Sequence, residues 1–317
     1  MKTLKLTSAL LIAALAFSSC KKDKNDHINR AQNSREFTQT FGAQLQKSSS
    51  FNAAEAKTIV LSGGTALTFA PNSFTINGQA VSGQVVVEAY EMLNRSSILF
   101  SGTNTNHISG APLISQGFIF FDAKVNGVSV DKILAKPVEI VMPANGNSNT
   151  IIWEGVENVG DANQMAWQAP ANGQQREIKA VGDDFIFNFG QTGWVNCDTY
   201  YSISAPKTTV SVTINNNPGE MATFRGYSGE TFVFFCAKND NVVAQIYTAN
   251  GTNSVKSYDD SMPVGAEGKL LSFSVKDGKY YYAEKEITIS ADMNETLSLV
   301  ETSEAAVQTS IDALDNY

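Results

Sequence analysis

From Thr58 onward the chain alternates apolar and polar residues in short runs, and turn pairs break those runs repeatedly. A period of two is the signature of a strand with one face buried, because successive side chains point to opposite sides of a sheet. The turn pairs include Asn77-Gly78, Asn126-Gly127 and Asp277-Gly278. Asn, Asp and Gly tolerate the positive φ that a two-residue hairpin loop requires. "QVVVEAYEML" reads as a longer strand, and "KPVEIVMPA" sets Val138, Ile140 and Met142 on one face. "TTVSVTI" does the same with Val210, Val212 and Ile214, and "ETFVFFCAK" with Phe232, Phe234 and Cys236. Many short, regularly spaced strands predict an all-β fold with two β-sandwich-like domains in tandem.

The boundaries follow the rhythm of these runs. Residues 58–145 are expected to form an N-terminal sandwich and residues 206–300 a C-terminal one. Residues 146–205 are less regular and read as an irregular β segment bridging the two. Trp153 and Trp167 in that segment are expected to pack in a core. Residues 301–317 switch to helical spacing, with Val307, Ile311 and Leu314 on one face and Thr302 or Ser303 as N-cap.

The first 57 residues are different in kind. Lys2 and Lys5 precede an apolar run, Ala9 to Phe17, that is too short to span a bilayer as a helix. Small residues Ser18 and Ser19 follow, then Cys20 and the polar stretch "KKDKND". Residues 1–19 read as a signal peptide. The "FSSC" junction resembles the lipobox of bacterial lipoproteins, which implies that Cys20 is lipidated and becomes the mature N-terminus. Several acyl chains on one residue would hold a protein at a membrane effectively permanently. The alternative is an ordinary secreted leader with an incidental cysteine. Residues 20–57 are then a polar tether. Phe37, Phe41 and Leu45 recur at helical spacing, so a short helix near 34–47 competes with an extended segment.

Charge narrows the partners. The chain carries a net −8 with a pI near 4.9, and its only basic cluster, Lys21, Lys22 and Lys24, is interrupted by Asp23. Nucleic acid is not an expected partner, because neutralising its phosphates takes grouped Lys and Arg.

Catalytic motifs are sparse. The chain has two histidines, His27 and His107, so a three-His zinc site cannot form. No HExxH, G-x-S-x-G elbow, P-loop or dinucleotide fingerprint occurs. No metal site and no cofactor is expected. Paired acids occur at Asp183-Asp184, Asp259-Asp260 and Glu88/Glu91. Two carboxylates across a cleft could act on glycans, but Asp pairs are also ordinary turn residues. The run "KYYYAE" offers outward tyrosines among Tyr280–Tyr282 as a surface for sugar rings. Cys197 and Cys236 could form a disulfide in an exported protein, or could pack as two separate buried thiols.

"GGTALTFAPNSFTINGQAVSGQVVVEAYEML", "ILFSGT" and "SQGFIFFDAKVNG" together resemble a module of Bacteroidota cell-envelope lipoproteins of unknown function. That module is similar to the ZU-type β-sandwich of ankyrins and netrin receptors. "GWVNCDTYY" and "VGAEGKLLSFSVKDGKYYYAEKEITI" resemble the C-terminal half of such lipoproteins, so the likeness spans roughly residues 58–300. It implies a sandwich fold and an outer-membrane lipoprotein of the cell envelope, facing the periplasm or the cell surface. Some eukaryotic relatives of the sandwich cut themselves at a His-Phe-Ser turn. His107-Ile108-Ser109 is the corresponding stretch here, with Ser109 as nucleophile beside His107. The expectation is a non-catalytic binding or structural module that meets the membrane through its lipid and an envelope protein or glycan through its loops. The alternatives are a carboxylate-based glycan-active enzyme or a self-cleaving sandwich.

Overall fold

The computed structural model describes residues 30–144, 149–159, 164–171, 177–201, 204–222 and 229–317. Residues 1–19, expected to be a signal peptide, lie outside the described residues, as do Cys20 and His27. The chain is all-β, with helix confined to three short segments among the described residues.

The hairpins form where the turn pairs predict them. Asn77 and Gly78 take φ of 52° and 74°, Asn126 and Gly127 51° and 82°, Asp277 and Gly278 52° and 70°. Positive φ at both central residues gives the turn whose twist matches the flanking strands. Val125 accordingly pairs with Val128 and Lys276 with Lys279 across two-residue loops.

The first sandwich packs an eight-stranded sheet on a five-stranded one. The larger sheet is built around Gln84–Met92, Leu113–Val125, Gly193–Tyr200 and Ile151–Val159 in that order. The smaller is built around Asp184–Gln191, Ile133–Pro143 and Ala66–Phe69. Val85, Val87, Ile119 and Phe121 from one sheet meet Leu67, Val138, Ile140 and Phe187 from the other. Two assignments need correction here. Residues 58–145 do not close a sandwich by themselves, and residues 146–205 do not bridge two domains. Gly193–Tyr200 is an interior strand of the larger sheet, and Asp184–Gln191 an interior strand of the smaller. These partners are far apart in sequence, so local rhythm could not pair them.

The second sandwich joins a five-stranded sheet, centred on Thr231–Ala237 and Glu267–Lys276, to a four-stranded one. Val210, Val212 and Ile214 face Val233, Phe235 and Leu270 in its core. Ser211–Asn215 and Asn294–Ser298 run parallel, the remaining sheet pairings being antiparallel among the described residues.

A third core joins the two sandwiches. Thr231–Ala237 is buried at every position. Val233 and Phe235 enter the second sandwich, whereas Phe232, Phe234 and Cys236 face the other way. The larger sheet of the first sandwich behaves alike, turning Met92, Phe118 and Trp194 away from its own interior. Strands buried on both faces read as near-continuous apolar runs, which is why "GFIFF" and "TFVFF" lack a polar face. Three helices fill this seam: α1 (Ser34–Phe41), α2 (Arg95–Phe100) and α3 (Glu304–Asp312). Residues 31–317 thereby form one compact unit.

The polar tether expected over 20–57 is folded from Ala31. Asn33 caps α1 by accepting from the Glu36 N–H at 2.9 Å. The helix stops at Phe41, earlier than the 34–47 expected, and Leu45 lies beyond it at 40% exposure. A Cβ at Gly42 would lie 2.7 Å from the Phe100 carbonyl oxygen, so only glycine lets the chain pass α2 this closely. Phe37 is fully buried, 5.7 Å from Phe100, 5.9 Å from Phe273 and 5.5 Å from Tyr280 between ring centroids. Helix α3 starts from Ser303 as its N-cap and buries Val307, Ile311 and Leu314 as the spacing predicts. Arg95 locks α2 to the second half. It donates to the Asp240 carbonyl at 2.9 Å and the Leu314 carbonyl at 2.6 Å. Asp315 returns the contact by accepting from the Ser96 N–H at 2.8 Å.

Phe37→Ala is expected to destabilise the mature chain by about 3–5 kcal/mol in urea unfolding, the range for emptying a buried aromatic site. Leu45→Ala, at an exposed position, is expected to change stability by less than about 0.5 kcal/mol.

Candidate functional site

The register of the first sandwich brings three aromatic residues into one row on the face turned toward the seam. Tyr90 pairs with Phe120 across neighbouring strands, and Phe120 pairs with Trp194 across the next. Their ring centroids are 6.1 Å and 5.1 Å apart, with planes inclined by 52° and 57°. The tilts make a curved cradle rather than a flat platform. Phe118 backs the row, 6.1 Å from Trp194 and 4.9 Å from Trp167.

Helix α1 supplies the opposite wall. Arg35, Thr38 and Gln39 stand at i, i+3 and i+4, which puts them on one face. The strap Gly42–Leu45 closes one side and is held by the Ala43 N–H donating to Ser101 Oγ at 3.1 Å. The enclosed groove has a volume of about 530 Å³ and is open to solvent along one edge. Small-molecule sites typically occupy roughly 300–1,000 Å³. Among the described residues Arg35 is the one charged residue in its lining, which includes no carboxylate.

None of the candidate site residues singled out in the sequence lines this groove among the described residues. Glu88 accepts ion pairs from Lys47 at 2.6 Å and Lys124 at 2.5 Å, and the hydrogen bonds from Lys124 and then Lys47 lower its pKa. Glu91 accepts from the backbone N–H groups of Gly63 at 2.5 Å and Thr65 at 2.9 Å. Asp259 pairs with Lys256 at 2.6 Å, and Asp260 occupies a positive-φ turn position. Asp183 and Asp184 lie at the tight turn into the strand Asp184–Gln191. No group of three His, Cys, Asp or Glu side chains converges to hold a metal among the described residues. The tyrosine platform needs correction: Tyr280 is fully buried and donates to Glu304 and the Ala31 carbonyl. Tyr282 donates to Glu284 at 2.8 Å.

The disulfide also needs correction. Cys197 and Cys236 are free, buried thiols that belong to different cores. Burial raises the pKa of both, Cys236 to about 12, so neither forms a thiolate at neutral pH.

The segment "SGTNTNHISGAP" is more than a polar loop. Thr103, Asn104 and Thr105 are wholly buried, and Thr105 with Asn106 satisfies the edge of strand Val243–Gln245. The Thr105 N–H donates to the Val243 carbonyl at 2.8 Å, and Asn106 Oδ1 accepts from the Gln245 N–H at 2.9 Å. His107 and Ser109 are brought together just beyond. The Ser109 N–H donates to His107 Nδ1 at 3.1 Å, and Ser109 Oγ is 2.8 Å from the same nitrogen. Nδ1 is therefore the acceptor nitrogen and Nε2 carries the ring proton. Nε2 lies 3.3 Å from the Tyr200 hydroxyl, a partner that nothing in the local sequence announced. Neither Ile108 nor Ser109 has positive φ, and neither peptide bond there is cis.

One buried acid stands out. Asp198 is fully buried next to Cys197, and burial raises its pKa well above the ordinary range despite hydrogen bonds from Ser115 and Asn196. No family model matches the chain, and no curated protein matches it.

The folded state holds the Asp198 proton more tightly than the unfolded state. Its contribution to stability is complete below the unfolded carboxyl value near 3.8 and is lost as pH rises toward the raised folded value. Asp198→Asn, neutral throughout, is expected to flatten that decline in urea midpoints measured from about pH 4 to about pH 8. A variant that keeps the wild-type slope would assign the pH dependence elsewhere.

Proposed function

We propose that this chain is a lipid-anchored protein of the bacterial cell envelope that acts as a non-catalytic binding module through the groove between α1 and the first sandwich. The observation that carries this reading is the row Tyr90–Phe120–Trp194, set by strand register and lining one groove with Arg35, Thr38 and Gln39 of α1. Among the described residues the lining offers stacking and hydrogen-bonding groups but no carboxylate, cysteine or histidine, which suits recognition rather than bond breaking. The apolar run ending at Cys20 and the resemblance to Bacteroidota lipoproteins support the anchor at the outer membrane.

A second, narrower reading is self-cleavage between Ile108 and Ser109, favoured by the single acceptor nitrogen that touches both Ser109 Oγ and Ser109 N–H. In that step Oγ attacks the Ile108 carbonyl carbon. His107 Nδ1 takes the hydroxyl proton and passes it to the departing Ser109 nitrogen as the peptide bond breaks and an ester forms. Water then hydrolyses the ester. The ordinary φ of Ile108 and Ser109 weighs against it, because strain at the scissile bond is what drives such a shift.

Intact-mass analysis of protein from a membrane fraction, beside Cys20→Ala, tests both readings. The expected wild-type mass is that of residues 20–317 plus acyl chains, and the variant is expected without lipid and off the membrane. An unlipidated wild-type chain contradicts the anchor. Two fragments dividing between Ile108 and Ser109 would establish cleavage.

A further inference from the structure

The geometry points to a glycan as the ligand of this groove, bound through one hexopyranose unit inserted against the Tyr90–Phe120–Trp194 cradle. This rests on the binding-module reading and narrows it. The C–H face of a pyranose ring carries partial positive charge, and the face of an aromatic ring is negative, so the two stack well. The ring edge of a sugar carries hydroxyls that need donors and acceptors once water is displaced. The groove supplies both kinds of surface at once. Its floor is aromatic, while its α1 wall includes Gln39 and Arg35, with Gln44 on the adjoining strap. Among the described residues, the Gln39 side chain and the Tyr90 hydroxyl make no hydrogen bond within the chain, which leaves them for a ligand.

Charge points the same way. A cavity without carboxylates and with a single arginine, in an acidic protein, fits a neutral or weakly acidic sugar and not a cationic peptide. An acyl chain would call for an aliphatic tunnel, whereas Leu45 and Met92 are the only long aliphatic side chains in this lining. A peptide added as a strand needs a sheet edge, and this is the face of interior strands. The inclined rings also fit a single unit entering the groove better than a chain laid on a flat surface.

The test uses the full mature chain with Cys20→Ser, run in native gels containing β-glucan, galactomannan, arabinoxylan or pectin, with tryptophan emission read in parallel. At least one polysaccharide is expected to retard the protein. Gln39→Ala, at an exposed position, is expected to weaken that retardation about tenfold or more at an unchanged melting temperature, and Tyr90→Ala to weaken it as much while the chain stays folded at the assay temperature. The emission change on binding is expected to vanish in Trp194→Phe, since Trp153 and Trp167 do not line the groove. Retardation that survives Tyr90→Ala and Gln39→Ala would overturn this site. Failure of all four polysaccharides would overturn the glycan assignment. In that event, anilinonaphthalene sulfonate bound with a Trp194-dependent emission change leaves the groove a binding site for another ligand. No binding of that dye either would remove the binding-module reading as well.

Discussion

Phe37 is the contact on which the arrangement of this chain depends. Its ring touches α2 through Phe100, the second sandwich through Phe273 and Tyr280, and its own helix through Phe41. Each pair contributes a fraction of a kcal/mol to about 1.5 kcal/mol beyond simple burial. Together with Phe232 and Phe234, stacked within 5° of parallel, they make a wall of rings between two sandwiches. Neither sandwich could leave those faces in water without exposing a large apolar surface. The seam therefore explains why strands such as Thr231–Ala237 carry no polar face.

The seam also creates the groove. Helix α1 covers only part of the outward face of the larger sheet, because Gly42 turns the chain against the Phe100 carbonyl and ends the helix. Beyond that cover Tyr90 and Phe120 are half-buried, and with the buried Trp194 they line the groove. A binding surface held by interior strands on one side and a helix anchored through its buried Phe37 on the other is pre-organised, and a ligand need not order it first. Arg95 and Asp315 reinforce the frame by tying α2, which lines the groove through Phe100, to the C-terminal residues.

Local signals were legible wherever the chain pairs with its near neighbours. The Asn-Gly and Asp-Gly hairpins, the alternating faces of Val138–Met142 and Val210–Ile214, and the stripe of Val307, Ile311 and Leu314 all follow from the sequence. The assignment of residues 146–205 failed because Gly193–Tyr200 pairs with Leu113–Val125, across a separation no local period records. The tether reading gave way from Ala31 for a related reason. The helical spacing of Phe37 and Phe41 announced a helix, and only the two sheet faces brought to them show what they cover. Tyr90, Phe120 and Trp194 lie on three strands and become one site through register alone. Tyr280 misled in the opposite direction, since a tyrosine in an alternating strand gives no sign that α3 will cover it.

If the aromatic seam couples the two sandwiches, they must unfold together. Differential scanning calorimetry of the mature chain tests this most directly. The account predicts one transition, with the calorimetric enthalpy equal to the van't Hoff enthalpy, as for a single cooperative unit. Two separable transitions, one for each sandwich, would contradict it and would mean that the shared core adds contact without coupling.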